Sequence, residues 1–258
     1  MYIINDEKVY FQANYQPDCL LEGVDLQTFQ PLDDKTLTAE NLADLTQKYV
    51  PYGWKNLRYV AKDRKSIWAN GMKVPDADVD SFEYFFGGQC DWGQDRNRAY
   101  CFYREGKNRI KVLNAVGQLR FPKDTLGGYM RMYAYDDKYV YYFGRRVKGA
   151  LGGDCKHLIA ESVNQEKMTG TEYFDSFSII SNNTVYYYGK PIVGSDGETA
   201  RGYSINEPNK GALYIIVDKN GIYYKGKPFD ENEWKALYAR IPHIIFELQK
   251  KLQGEGRL

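Results

Sequence analysis

The chain has 258 residues, with 35 Lys and Arg against 34 Asp and Glu and a net charge of +1. So even a balance, with the two signs interspersed, argues against a nucleic-acid binder, which carries a basic excess. The length suffices for one large or two ordinary domains with a sizeable core.

Along the chain a polar turn followed by a short aromatic strand recurs six times. The copies are Asp6 to Phe11, Asp63 to Trp68, Asp95 to Tyr100, Asp137 to Gly144, Ser181 to Gly189 and Asp218 to Gly226. Self-similarity at this scale identifies a repeat architecture. It also explains the 24 tyrosines, because Tyr suits a half-buried pleated surface. The marker aromatics Tyr10, Trp68, Tyr100, Tyr141, Tyr186 and Tyr223 are 58, 32, 41, 45 and 37 residues apart, so insertions of varying length separate a constant hairpin.

That hairpin is clearest late in the chain. Leu213 to Val217 leads into Asp218-Lys219-Asn220-Gly221, and Ile222 to Lys225 returns. Asn220-Gly221 is a strong hairpin signal, because both residue types tolerate positive φ. A second turn follows at Gly144, Gly189 and Gly226 and brings back Val147, Ile192 or Phe229. Each unit is therefore predicted to be an antiparallel meander. Some units continue with an Asp-x-x-Ser/Thr-Phe stretch, as in Asp25 to Phe29 and Asp78 to Phe82. There the carboxylate and hydroxyl cap a turn and the Phe plugs the core.

Two helices are predicted. Thr38 can cap a segment from Ala39 to Tyr49, an insert (38–49) that accounts for the longest interval. Near the C-terminus Asp230 and Glu233 form a capping pattern. Trp234, Leu237, Tyr238, Ile241, Ile245, Leu248 and Leu252 then fall on one stripe, with Pro242 expected to kink the helix without ending it. The expected fold is mainly β: antiparallel meander units in an elongated or curved array over residues 1–230, then a capping helix and tail over 231–258. A closed β-propeller is the alternative, since the intervals suit blades.

The D-K-x-x-V-Y-Y-x-G core, followed by D-x-x-T/S-F, resembles the bacterial DKNYY repeat family over roughly residues 5 to 229. Asp218 to Tyr224 is the nearest copy, while Trp68 and Cys101 stand where the pattern has Tyr. The resemblance implies structural motif residues and transfers no catalytic ones. It also implies an immunity role, since members look like proteins encoded near polymorphic toxins.

The residues themselves offer no catalytic constellation. Cys155 and His157 lie two apart with no orienting third group. His243 follows Pro242 on the polar edge of the terminal helix. Gly127-Gly128 and Gly152-Gly153 lack the Gly-Lys-Ser/Thr continuation of a phosphate loop. Asp76, Asp78 and Asp80 alternate as in a calcium loop, but Ser81 and Gly87 stand where that loop needs Gly and Glu. With Glu83 and Asp91 they make the densest acidic stretch, which would complement a basic partner such as a nuclease toxin. Arg145-Arg146 lies at a hairpin tip. The four cysteines, Cys19, Cys90, Cys101 and Cys155, form no C-x-x-C pair, and reduced, mostly buried thiols are expected.

No metal, cofactor or nucleic acid is expected, and no apolar run approaches the roughly 20 residues of a membrane helix. Met1 to Asp6 shows no secretory leader, so a cytoplasmic protein is expected, or a periplasmic or surface one if a leader has been removed. The functional expectation is a non-enzymatic immunity protein that binds and neutralises a cognate toxin through Asp76, Asp78, Asp80, Glu83 and Asp91. The alternative is an envelope or surface scaffold that binds glycan or protein.

Overall fold

The computed structural model describes residues 2–11, 19–32, 60–86, 90–103, 109–122, 131–163, 178–207 and 211–256. The helical insert predicted over 38–49 lies outside them. Among the described residues six small sheets follow one another, one for each repeat, and an interior strand of each carries the marker aromatic. The first comprises Tyr2–Asn5, Lys8–Phe11 and Cys19–Leu20. The second comprises Gln30–Pro31, Val60–Lys62, Ile67–Ala69 and Met72–Lys73. The third is built from Glu83–Phe85, Cys90–Gln94, Ala99–Tyr103 and Ile110–Leu113. Tyr133–Tyr135, Tyr139–Tyr142 and Arg145–Leu151 form the fourth. The fifth has Lys156–His157, Ser178–Ser181, Thr184–Tyr187 and Lys190–Pro191. Ala160–Ser162, Arg201–Glu207, Gly211–Asp218, Gly221–Tyr224 and Lys227–Pro228 make the sixth. Among the described residues no sheet closes on itself, and neither a closed barrel nor a propeller is found.

The chain divides into two compact units. One holds the first three sheets, the other the last three sheets and the terminal helices. In the first, Val60, Ile67, Val74, Phe82, Tyr84, Tyr100 and Phe102 share a core. Phe82 plugs it as the Asp-x-x-Ser-Phe reading predicts. In the second, Leu158, Ile180, Val185, Ile192, Ala200, Ile216 and Tyr223 join the fifth and sixth sheets.

Three details depart from expectation. Ala160–Ser162 pairs parallel to Arg201–Glu207, so the sixth sheet is not wholly antiparallel. Asn220-Gly221 is not the centre of its turn. Asp218 pairs with Gly221, and Lys219-Asn220 make the two-residue connection without positive φ at either residue. A side chain on Asp218 takes over the role assigned to glycine, as described below. The third departure is the terminal helix, which breaks at Ile241.

α1 spans Glu231–Arg240 and α2 spans Pro242–Gly254, with Ile241 between them at φ −139° and ψ 57°. The residue before a proline is driven from helical geometry by the ring's Cδ, and Pro242 is favoured as the first residue of a new helix because its missing N–H has no acceptor there. Asp230 caps α1 as predicted: its carboxylate accepts from Glu233 N at 2.8 Å, and Glu233 Oε2 accepts from Asp230 N at 3.3 Å. Leu237, Ile241, Ile244, Ile245, Leu248 and Leu252 are buried against Tyr203, Ile205, Ile215 and Val217 of the sixth sheet. Burial of each aliphatic is worth roughly 2 kcal/mol, so packing holds the helices in place. Tyr238 is 50% exposed and leaves the predicted stripe.

Candidate partner-binding surface

The central strands of the second, third, fourth and sixth sheets each begin at a turn held by a motif aspartate. Asp95 Oδ1 accepts from Asn97 N and Arg98 N, both at 2.7 Å. Its Oδ2 accepts from the Tyr100 hydroxyl at 2.8 Å and from Asp78 N, in the preceding repeat, at 2.9 Å. Asp63 repeats all four bonds with Lys65 N, Ser66 N, Trp68 Nε1 and Asp25 N. Trp68 therefore conserves the chemistry of the tyrosine it replaces, since its indole N–H donates at the same place. Asp218 accepts from Asn220 N, Gly221 N, Tyr223 Oη and Asp196 N. Asp136 accepts from Lys138 N, Tyr139 N and Tyr141 Oη. A carboxylate that gathers the turn's own N–H groups removes the need for positive φ. Where Asn5 or Ser181 replaces it, the turn does go left-handed, at Asp6-Glu7 and Asn182-Asn183.

The Asp-x-x-Ser/Thr stretch completes an inter-repeat clasp. Asp78 Oδ1 accepts from Ser81 N, Ser81 Oγ and Arg96 Nη2, while Ser81 Oγ accepts from Arg96 N at 3.0 Å. Asp196, Thr199 and Lys219 reproduce this pattern. Asp25, Thr28 and Arg64 keep part of it: Thr28 Oγ1 accepts from Arg64 N and Asp25 pairs with Arg64, but Thr28 N and Oγ1 donate to the backbone carbonyl of Asp25. Sequence reading missed Asp196 to Thr199, because Ala200 stands where the Phe was sought. Bonds from Ser81, with help from Arg96, hold the Asp78 carboxyl below its ordinary range. The Lys219 ammonium and then Thr199 do the same at Asp196. At the fourth repeat the charges exchange places: Arg120 Nη2 lies 2.5 Å from Asp137 Oδ1.

These bonds redistribute the predicted acidic stretch. Asp91 is fully buried in the strand Cys90–Gln94. Asp78 is engaged in the clasp, Asp76 pairs with Arg98 at 3.0 Å, and Glu83 is half-buried. Asp80 is exposed. The five carboxylates do not form one open acidic face. Cys155 and His157 gain no catalytic geometry either. Burial, and then Asp154, push the Cys155 thiol up to about 12, and His157 Nδ1 lies 3.4 Å from Ser178 O. Cys19 is exposed while Cys90, Cys101 and Cys155 are buried. Among the described residues no cluster of three or more His, Cys, Asp or Glu is placed to hold a metal, and no helix is long and apolar enough to cross a membrane.

The second turn, where the described residues include it, is of another kind. Phe143-Gly144, Tyr188-Gly189 and Lys225-Gly226 are two-residue connections with both φ values positive, between 45° and 75°. This is the mirror-image turn that suits strand twist. Its first position normally takes Asn, Asp or Gly, as Asn70 does in the second sheet. The glycines carry the preceding repeat's second aromatic: a Cβ at Gly189 would stand 2.9 Å from Tyr142, and one at Gly226 3.0 Å from Tyr187. Tyr142 meets Phe143 at 4.8 Å and Tyr188 at 6.2 Å, and Tyr187 meets Tyr188 at 4.6 Å, all edge to face. The successive tips of the second unit thus touch one another through aromatic rings.

Together these features define a β-repeat protein in which hairpin sheets are joined by carboxylate clasps on one edge and by aromatic-on-glycine contacts on the other. The DKNYY family model matches residues 2–227, and the chain belongs to the DKNYY family. No curated protein and no solved structure matches it.

Proposed function

We propose that this chain is a non-enzymatic protein-binding module, in its most specific form an immunity protein that neutralises a cognate toxin by direct binding. The observation that carries the reading is the placement of Phe143 and Tyr188. Each occupies a left-handed turn position, at φ 45° and 50°, where a bulky residue costs about 1–2 kcal/mol. Tyr188 is nonetheless 42% exposed. The edge-to-face contacts of these rings, worth about 0.5–1.5 kcal/mol each, do no more than offset that cost, whereas protein interfaces are enriched in Tyr and Phe anchors. The toxin-directed form rests on the family resemblance.

Co-expression with the product of the adjacent open reading frame tests it. Rescue of growth, with a complex on size exclusion, is the expected result. Persistent toxicity with no complex removes the immunity reading. A glycan-binding scaffold is less well supported, because the rings meet edge to face and spend their stacking faces on one another.

A further inference from the structure

We infer that the glycine-turn edge of the second unit is a cation–aromatic ridge that receives an acidic protein surface. This deepens the protein-binding reading and rests on it. Three seven-residue segments meet there: Tyr141 to Val147, Tyr186 to Ile192 and Tyr223 to Phe229. They carry Arg145, Arg146, Lys190, Lys225 and Lys227 and no Asp or Glu. In a chain whose acids and bases otherwise balance, this separation of sign is local.

Arg145, Lys190 and Lys227 each follow the turn glycine directly, pair across the hairpin with Tyr142, Tyr187 and Tyr224, and are exposed. The three tips are contiguous through Tyr142 on Gly189 and Tyr187 on Gly226. The opposite edge is built otherwise: its carboxylates and cations neutralise one another in the clasps, as Lys219 and Asp196 do at 2.7 Å. Among the described residues the glycine edge of this unit therefore offers uncompensated positive charge beside half-buried aromatics, the composition of an interface that captures an acidic partner by steering. In the second repeat Met72 follows Gly71, so that repeat lacks the cation at this position.

A protein is favoured over single-stranded nucleic acid, which needs free ring faces for its bases. Here Tyr142, Phe143, Tyr187 and Tyr188 pack on one another edge to face, at interplanar angles of 76° to 89°, so in each pair one ring covers a face of the other.

The test compares three full-length proteins: the wild type, Arg145→Glu/Lys190→Glu/Lys227→Glu, and Lys8→Glu/Lys65→Glu/Lys73→Glu, which makes the same charge change at exposed positions of the first unit. Circular dichroism and thermal unfolding first establish that all three fold. The probes are poly-L-glutamate and oligo(dT), titrated at 50 and 300 mM salt. The wild type and the first-unit variant should bind polyglutamate, more weakly at high salt, and the ridge variant should bind at least tenfold more weakly. Equal binding by the two variants, or no binding by the wild type, overturns the ridge. Tighter binding of oligo(dT) than of polyglutamate overturns the choice of a protein partner. The complex with the neighbouring gene product separates the two levels. If it forms equally with the ridge variant, the ridge is wrong and the immunity reading stands. If that product never binds but polyglutamate does, the immunity reading fails and the ridge stands.

Discussion

The ring of Tyr142 lies so close to Gly189 that a Cβ there would stand 2.9 Å from both Cβ and Cδ1 of the tyrosine. Gly189 also has φ 73°. Gly189→Ala therefore meets two penalties: a left-handed backbone worth about 1–2 kcal/mol and a contact that must give way. Gly194, at φ 82° with open space around it, should lose only the first when changed to Ala. Urea denaturation of both variants measures the difference. Equal losses would mean that Tyr142 yields freely.

Replacing Tyr188 by Asn removes a bulky residue from the same kind of position. The relief is offset by loss of the edge-to-face contact with Tyr187, worth about 0.5–1.5 kcal/mol. Stability should stay within about 1 kcal/mol of wild type while capture of the partner falls at least tenfold. Loss of folding instead would make Tyr188 a structural residue.

Tyr100→Phe deletes a hydroxyl that donates to the buried Asp95 carboxylate at 2.8 Å, a bond to a charged group worth about 1.5–3 kcal/mol. Asp95→Asn should cost at least as much, and the double variant less than the sum, because both changes remove one shared bond. Strict additivity in the cycle would show the pair to be uncoupled.

Acid should open the clasps. At Asp63 burial raises the carboxyl, but bonds from Lys65, Trp68, Asp25 and Ser66 outweigh it and leave the pKa lowered. Asp78 and Asp196 are lowered as well. A group with a depressed folded pKa binds fewer protons when folded. Its contribution is complete above the unfolded value, near 4, and is lost as pH falls through the folded one. Stability should be level from pH 7 to pH 5 and decline below about pH 4. Asp196→Asn should be less stable at neutral pH, with a shallower acid decline; an unchanged decline would exclude Asp196 as a contributor.

Thiol reactivity follows burial. At pH 8 a chromogenic disulfide reagent should titrate Cys19 alone, and the other three only on unfolding. Rapid modification of Cys155 in the folded protein would contradict a thiol raised to about 12.

The parts of this fold legible in sequence are those that depend on local periodicity: the central strands, the paired turns and the cap at Asp230. What escaped depends on contacts between repeats. Asp91 reads as one more acid beside Asp80, and only its place inside Cys90–Gln94 shows it to be core. Asp196 to Thr199 lacks the expected Phe, yet makes the full clasp. Trp68 reads as drift until its indole N–H is seen on Asp63. The ridge escaped for the reverse reason: its residues were visible, but three tips separated in sequence by some 40 residues become neighbours only when rings seat on glycines.

The clasp and the start of α1 use one and the same bond. Asp78 and Asp196 accept from the N–H three residues on, and so does Asp230. With a hydroxyl at that third residue, the backbone of another hairpin can dock; with Glu233, the glutamate folds back on Asp230 N and a helix begins. In the language of polymers, Ser81 and Thr199 are propagating end groups and Glu233 is the terminator. The number of hairpins can then change by insertion ahead of Asp230 while both chain ends keep their chemistry.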